Sequence, residues 1–186
     1  YDGEILTVMR PVGTQLCNAT ALLWRLETLG CDAGDRWQAQ HALWQKQTGG
    51  MLSPFNEIHA AMTALRAGEW HAYDVLLANM RRSAGEAGEL IPAYRDVAVP
   101  VTEAMAHFVK GQYADAVERL LPVQANLWRM GGSTAQRDLV EWTLTEAAIR
   151  GGLRDVAFSL TNERLALRPD SSVNRHFLEE VQAIGA

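Results

Sequence analysis

The sequence predicts an all-α protein built as a stack of antiparallel helical hairpins, an α-solenoid ended by a C-terminal capping helix. Three times a short apolar run reaches a glycine, passes a spacer and restarts on a bulky apolar residue: Ala64 to Trp70, His107 to Tyr113 and Ala148 to Leu153. The glycines of these runs, Gly68, Gly111 and Gly151, recur 43 and 40 positions apart. That is a period of helix pairs too small to bury their own apolar faces, so neighbours must stack. Between the glycines, apolar residues return at three- and four-residue spacing. A 48% hydrophobic share of 186 residues supplies one sizeable core, so residues 1–186 read as a single domain.

The first helix is expected from about Thr14 to Leu29, with Leu16, Ala19, Leu22, Leu23 and Leu26 on one stripe and Gly30 as its stop. Its partner starts near Asp35, carries Trp37, His41 and Trp44, and ends at Thr48-Gly49-Gly50. Ser53 offers the next N-cap, and Pro54 suits a first helical position where no N–H is needed. That helix presents Ile58, Ala61, Met62 and Leu65, and Gly68 closes it. Trp70, Tyr73, Leu76, Leu77 and Met80 form the return stripe. From Ser83 to Leu90 the small, charged stretch reads as the most mobile loop. The third hairpin sets Val97, Val101, Ala104 and Phe108 against Tyr113, Ala116, Val117, Leu120 and Leu121. Pro100 either begins its helix or kinks it, and Pro122 bends the chain near Leu121. Gly131-Gly132 stops that run, and Ser133 with Gln136 forms a capping box for the next helix. The last hairpin pairs Val140, Leu144 and Ala147 with Leu153, Val156, Ala157 and Leu160. A final helix from about Ser171, carrying Val173, Phe177, Val181 and Ile184, covers the end of the stack.

Charge narrows the partners. A net charge of −5, with 17 Lys and Arg scattered so that the longest basic run is Arg81-Arg82, argues against nucleic acid and against an anionic membrane surface. No apolar run reaches the length of a membrane span, and no secretory pattern opens the chain. Cys17 and Cys31, without Cys-x-x-Cys spacing, read as reduced thiols, and the expected compartment is the cytoplasm.

Small residues before a glycine, an aromatic after it, Ala and Val four or five further on, and a closing Leu167-Arg168-Pro169 resemble tetratricopeptide repeats, at a longer period than theirs. More specifically, an ordered series of segments resembles the C-terminal half of the tetratricopeptide repeat protein 38 family. The series includes Leu22-Leu23-Trp24-Arg25-Leu26-Glu27, Gly34-Asp35-Arg36-Trp37, Phe55-Asn56-Glu57-Ile58-His59, Arg95-Asp96-Val97, Leu120-Leu121-Pro122, Gly131 to Asp138 and Ala166 to Pro169. The resemblance implies a TPR-like fold and a chain that is the C-terminal portion of a longer one; Tyr1-Asp2-Gly3 reads independently as the end of a truncated helix. It carries no biochemical activity with it.

No catalytic constellation emerges from the residues. His41, His59, His71, His107 and His176 lack metal-ligand spacing, and Glu103 with His107 reads as a surface contact one helical turn apart. There is no nucleophile elbow, phosphate loop or dinucleotide fingerprint, so no cofactor and no metal are expected. Cys17 lies near a helix start, where a dipole lowers a thiol pKa, but its leucine surroundings favour core packing. His59 and Asn56 lie at a helix start, where polar groups gather. The Gly131 to Asp138 segment offers backbone N–H groups and Arg137 to an anion, or else simply caps a helix. Arg36, Asn56, His59, Gln136 and Arg137 are therefore the candidate ligand-binding residues. The six tryptophans read mainly as core, with some available to a half-wet concave face. Two readings follow: a scaffold holding a protein or peptide, including the N-terminal half of its own protein, or a small-molecule or enzymatic site formed together with that half.

Overall fold

The computed structural model describes residues 13–47, 53–86 and 88–184. Among them there is no strand. The expected ends at Tyr1-Asp2-Gly3 and at Thr48-Gly49-Gly50 lie outside the described residues, as does Ala87 of the expected loop.

Helices α1 (Gly13–Thr28) and α2 (Arg36–Gln45) form the first hairpin, and α3 (Pro54–Ala67) and α4 (Trp70–Gly85) the second. The third begins with a short α5 (Ile91–Ala93) and a π-helical turn (Tyr94–Ala98). It continues as α6 (Val99–Val109) and returns through α7 (Tyr113–Leu120) and a 3₁₀ helix (Leu121–Met130). Helices α8 (Thr134–Arg150) and α9 (Arg154–Leu167) are the fourth hairpin, and α10 (Ser172–Ala183) packs against α8 and α9.

Four turns repeat one geometry. At Gly68 the glycine N–H bonds to Leu65 O, and the next N–H reaches back to Ala64 O at 2.9 Å. The same pair of bonds recurs at Gly30, Gly111 and Gly152. Each glycine has φ between 67° and 86°, the left-handed conformation that closes a helix in a Schellman motif. After the last three, the next helix starts from Glu69, Gln112 and Leu153, which share φ near −85° and ψ near 65°. The third marker is thus Gly152 and not Gly151, which is still right-handed at φ −78°.

The helix starts follow their caps. Ser53 accepts from Asn56 N at 3.2 Å ahead of Pro54, Ser133 and Gln136 make the full capping box, and Ser171 accepts from Asn174 N at 3.3 Å. Pro100 stands in the first turn of α6. Lacking an N–H, it cannot bond Asp96 O, and the π turn just before it widens the backbone, with Val99 N bonding Tyr94 O. At Pro122 the α-helix instead tightens to 3₁₀. Three residues per turn align Pro122, Ala125 and Trp128 on an exposed face, while Val123, Leu127 and Met130 are buried. α4 continues through Ala84 and Gly85, shortening the expected loop.

The first helices of the hairpins form the interior. α3 is buried along most of its length, from Pro54 to Leu65, whereas α4, α7 and α9 each bury one narrow stripe. α1 packs on α3, α3 on α6, α6 on α8, and α8 returns to α1. An open stack, in which each hairpin meets only its neighbours, has no such last contact. Trp24 Nε1 donates to Thr143 Oγ1 at 3.0 Å, Trp142 Nε1 to Thr28 Oγ1 at 2.9 Å, and Arg150 Nη2 to Thr28 O at 2.7 Å. Trp24 also packs on Phe108 with ring centroids 5.6 Å apart and edge-on to Trp37 at 6.4 Å. The side expected to be concave is therefore filled core. Trp24, Trp37, Trp44 and Trp142 are buried, but Trp70 and Trp128 are 37% and 61% exposed, so the tryptophans are not all core.

Close approach explains Gly132. A Cβ there would lie 2.7 Å from Phe55 Cε2, at φ +72°. Gly132→Ala combines overpacking with left-handed strain and is expected to destabilise by about 2–4 kcal/mol. Gly152→Ala, with nothing within 4 Å, should lose only about 1 kcal/mol. Urea midpoints of the two variants check this; equal losses would show that the Phe55 contact is absent.

Candidate functional site

The five candidate residues separate into two places. Arg36, at the start of α2, donates to Ala33 O at 3.1 Å beyond the C-terminal end of α1. The other four lie where the N-terminal ends of α1, α3 and α8 meet. There Asn56 Oδ1 accepts from Cys17 Sγ at 3.4 Å, and Gln136 Nε2 donates to Asn18 Oδ1 at 3.1 Å. Arg137 turns back to Gly132 O and to Thr134 Oγ1. The Gly131 and Ser133 N–H groups bond Trp128 O and Gln136 Oε1. No cavity described below is lined by any of the five residues.

His59 is a core histidine. Its Nδ1 lies 2.7 Å from Phe55 O, its ring packs on Phe55, and its Nε2 has no partner. Burial lowers its pKa to about 4; the Phe55 carbonyl opposes that shift and the Arg25 charge adds to it. A folded value below the unfolded value of about 6.5 means that the unfolded chain binds the extra proton. Stability contributed by neutral His59 is complete above pH 6.5 and is lost as pH falls toward 4, by up to about 3 kcal/mol. Glu57, raised by burial, works in the opposite direction. His59→Gln should flatten the dependence of melting temperature on pH between 6.5 and 4, and an unchanged slope would contradict the assignment. Cys17 is fully buried, and burial pushes its thiol up to about 12, which leaves it unreactive.

Glu103 does not pair with His107. It accepts from Arg81 at 2.7 Å and from Arg119, while His107 faces Gln112 and Asp115.

Three spaces stand out. A chamber of about 30 Å³ among Trp24, Glu27, Thr28, Arg66, Phe108 and Arg150 has room for water only. In it Glu27 joins Arg66 and accepts from Trp37 Nε1 at 2.9 Å, which ties the first two hairpins together. A groove of about 640 Å³ runs along α6, α7 and the 3₁₀ helix, bordered by Asp96, Asp115, Glu118, Arg119, Pro122 and Asn126. A cleft of about 280 Å³ lies among α8, α9 and α10.

Asp138 anchors that cleft. Arg164 Nη2 meets its Oδ1 at 3.0 Å, Arg25 Nη2 its Oδ2 at 3.4 Å, and Arg168 Nη1 approaches to 3.7 Å. Arg164 Nε donates to Asn174 Oδ1 at 3.1 Å. Burial and then the Asp138 charge raise the pKa of Glu141 in the same wall. No protein-family model and no solved structure matches this chain.

Sequence reasoning missed this cleft. Asp138, Arg164 and Asn174 come from three helices, and their only linear signal was the charge in Arg137-Asp138 and Leu167-Arg168-Pro169. Among the described residues no group of His, Cys, Asp and Glu is arranged to hold a metal, and no helix is long and apolar enough to cross a membrane.

Proposed function

We propose that the chain is a TPR-like helical-hairpin binding module, related to the tetratricopeptide repeat protein 38 family, that holds a basic peptide segment of a protein partner. The observation that carries the reading is the charge of the groove along α6, α7 and the 3₁₀ helix. Asp115 and Glu118 border it beside Asp96, which is paired with Arg95, and its one arginine, Arg119, is turned to Glu103. Pro122 lies on this border and on the same exposed 3₁₀ face as Trp128, so an apolar ledge continues from the acidic groove. A peptide with Lys or Arg flanking an apolar residue complements both features. The likeness to tetratricopeptide stacks is supported by the four repeated glycine turns, and a cytoplasmic setting by Cys17 and Cys31, both free thiols.

Calorimetric titration with a Lys/Arg-rich peptide and with its Asp/Glu-substituted counterpart tests the reading. Only the basic peptide should bind. Asp115→Lys combined with Glu118→Lys should weaken binding at least about 10-fold, and added salt should weaken it further. Binding that ignores the double charge reversal would rule out this groove.

A further inference from the structure

We infer that the groove along α6, α7 and the 3₁₀ helix is regulated by pH, with His107 as the group that loosens its hold on a basic peptide as pH falls. The inference rests on the peptide reading of that groove. His107 stands in the last turn of α6 and lines the groove, and its side chain is 30% exposed, so both solvent protons and a bound peptide reach it. Its Nδ1 lies 3.0 Å from Gln112 Oε1 and 3.7 Å from Asp115 Oδ2. Both oxygens can only accept, so Nδ1 carries the proton of the neutral ring and Nε2 is the atom that gains a second one. Histidine is the side chain that changes charge between about pH 5 and 8.

The charges around the ring decide the sign of the effect. From α7, Asp115 and Glu118 border the groove, and Arg119 is turned to Glu103 of α6, which also holds Arg81 of α4. Lys110, at the end of α6, lies over the Trp70 ring at 4.8 Å. Asp96 of the π turn is paired with Arg95. The 3₁₀ helix lends the groove Pro122, Val123 and Asn126, none of which titrates, and its Arg129 lies over Trp128. On the inner side of α6, Arg66 of α3 is joined to Glu27 and Arg150 of α8 to Glu146. Asp115 and Glu118 are therefore the charges that a peptide cation meets in the groove. With the ring neutral, Asp115 presents its full charge there. A protonated ring forms an ion pair with Asp115 and sets a positive charge against the incoming Lys or Arg. The coupling is reciprocal, so a bound peptide cation drives the proton off His107.

Calorimetric titration with the Lys/Arg-rich peptide at about pH 8 and about pH 5.5 tests the switch. The unsubstituted chain should bind at least about 5-fold more weakly at the lower pH. Between the two, its binding heat should vary with the ionisation enthalpy of the buffer, the mark of a released proton. In His107→Gln the two affinities should agree within about 2-fold, and the buffer dependence should vanish. His107→Lys, charged at both pH values, should bind more weakly than His107→Gln at the higher pH. Equal affinities of the unsubstituted chain at the two pH values, or full pH dependence retained in His107→Gln, would overturn the switch and leave the peptide groove standing. No binding at either pH would overturn the groove reading and the switch with it.

Discussion

Trp24→Ala is expected to lower stability by about 3–5 kcal/mol. Trp24 is 2% exposed and touches three other hairpin elements at once: Trp37 of α2, Phe108 of α6 and Thr143 of α8. Removing the indole leaves a cavity where the first and fourth hairpins meet and strips Thr143 of a donor. Chemical denaturation measures the loss, and a value under about 1.5 kcal/mol would mean that the indole is peripheral. Trp24→Phe separates the two contributions. It keeps most of the packing and removes the hydrogen bond, so about 1–2 kcal/mol should be lost.

Asp138→Asn is the second large effect. It removes the carboxylate that Arg164, whose side chain is 10% exposed, meets at 3.0 Å, and it leaves Arg25 and Arg168 repelling it. Breaking such a buried pair by deleting one partner is expected to lower stability by about 3 kcal/mol. Arg95 and Asp96, also an ion pair but an exposed one, provide the comparison: Asp96→Asn should change stability by less than about 1 kcal/mol. Similar losses in the two variants would contradict the view that Asp138 is a structural anchor. An Asp138→Asn variant that keeps its stability would contradict it as well.

The local parts of the fold were legible because their causes are local. Ser53-Pro54, the Ser133 and Gln136 box, and the glycine stops each depend on residues within one turn of each other. Which face of α1 is buried was only partly legible. Leu22 and Leu26 are half-buried, whereas Cys17, Thr20 and Trp24 are buried, because α1 is covered by α2, α3 and α8 together. Thr20 is buried because its hydroxyl bonds Leu16 O and accepts from Gln40 and Trp44. The return of α8 to α1 left no periodic mark, since its bonds join residues more than 110 positions apart. The Asp138 cleft left no periodic mark either, because Asp138, Arg164 and Asn174 come from three different helices. The candidate residues at Asn56, Gln136 and Arg137 were chosen for polarity near helix starts, and such starts use up polarity in their own capping bonds.

The contact between the first and last hairpins is the claim on which the filled interior and the outward placement of groove and cleft depend. Nuclear Overhauser effects from the two indole N–H protons test it most directly. The Trp24 Nε1 proton should show cross-peaks to the methyl protons of Thr143, and the Trp142 Nε1 proton to those of Thr28. An open stack would show neither, with both indole protons exchanging readily with water.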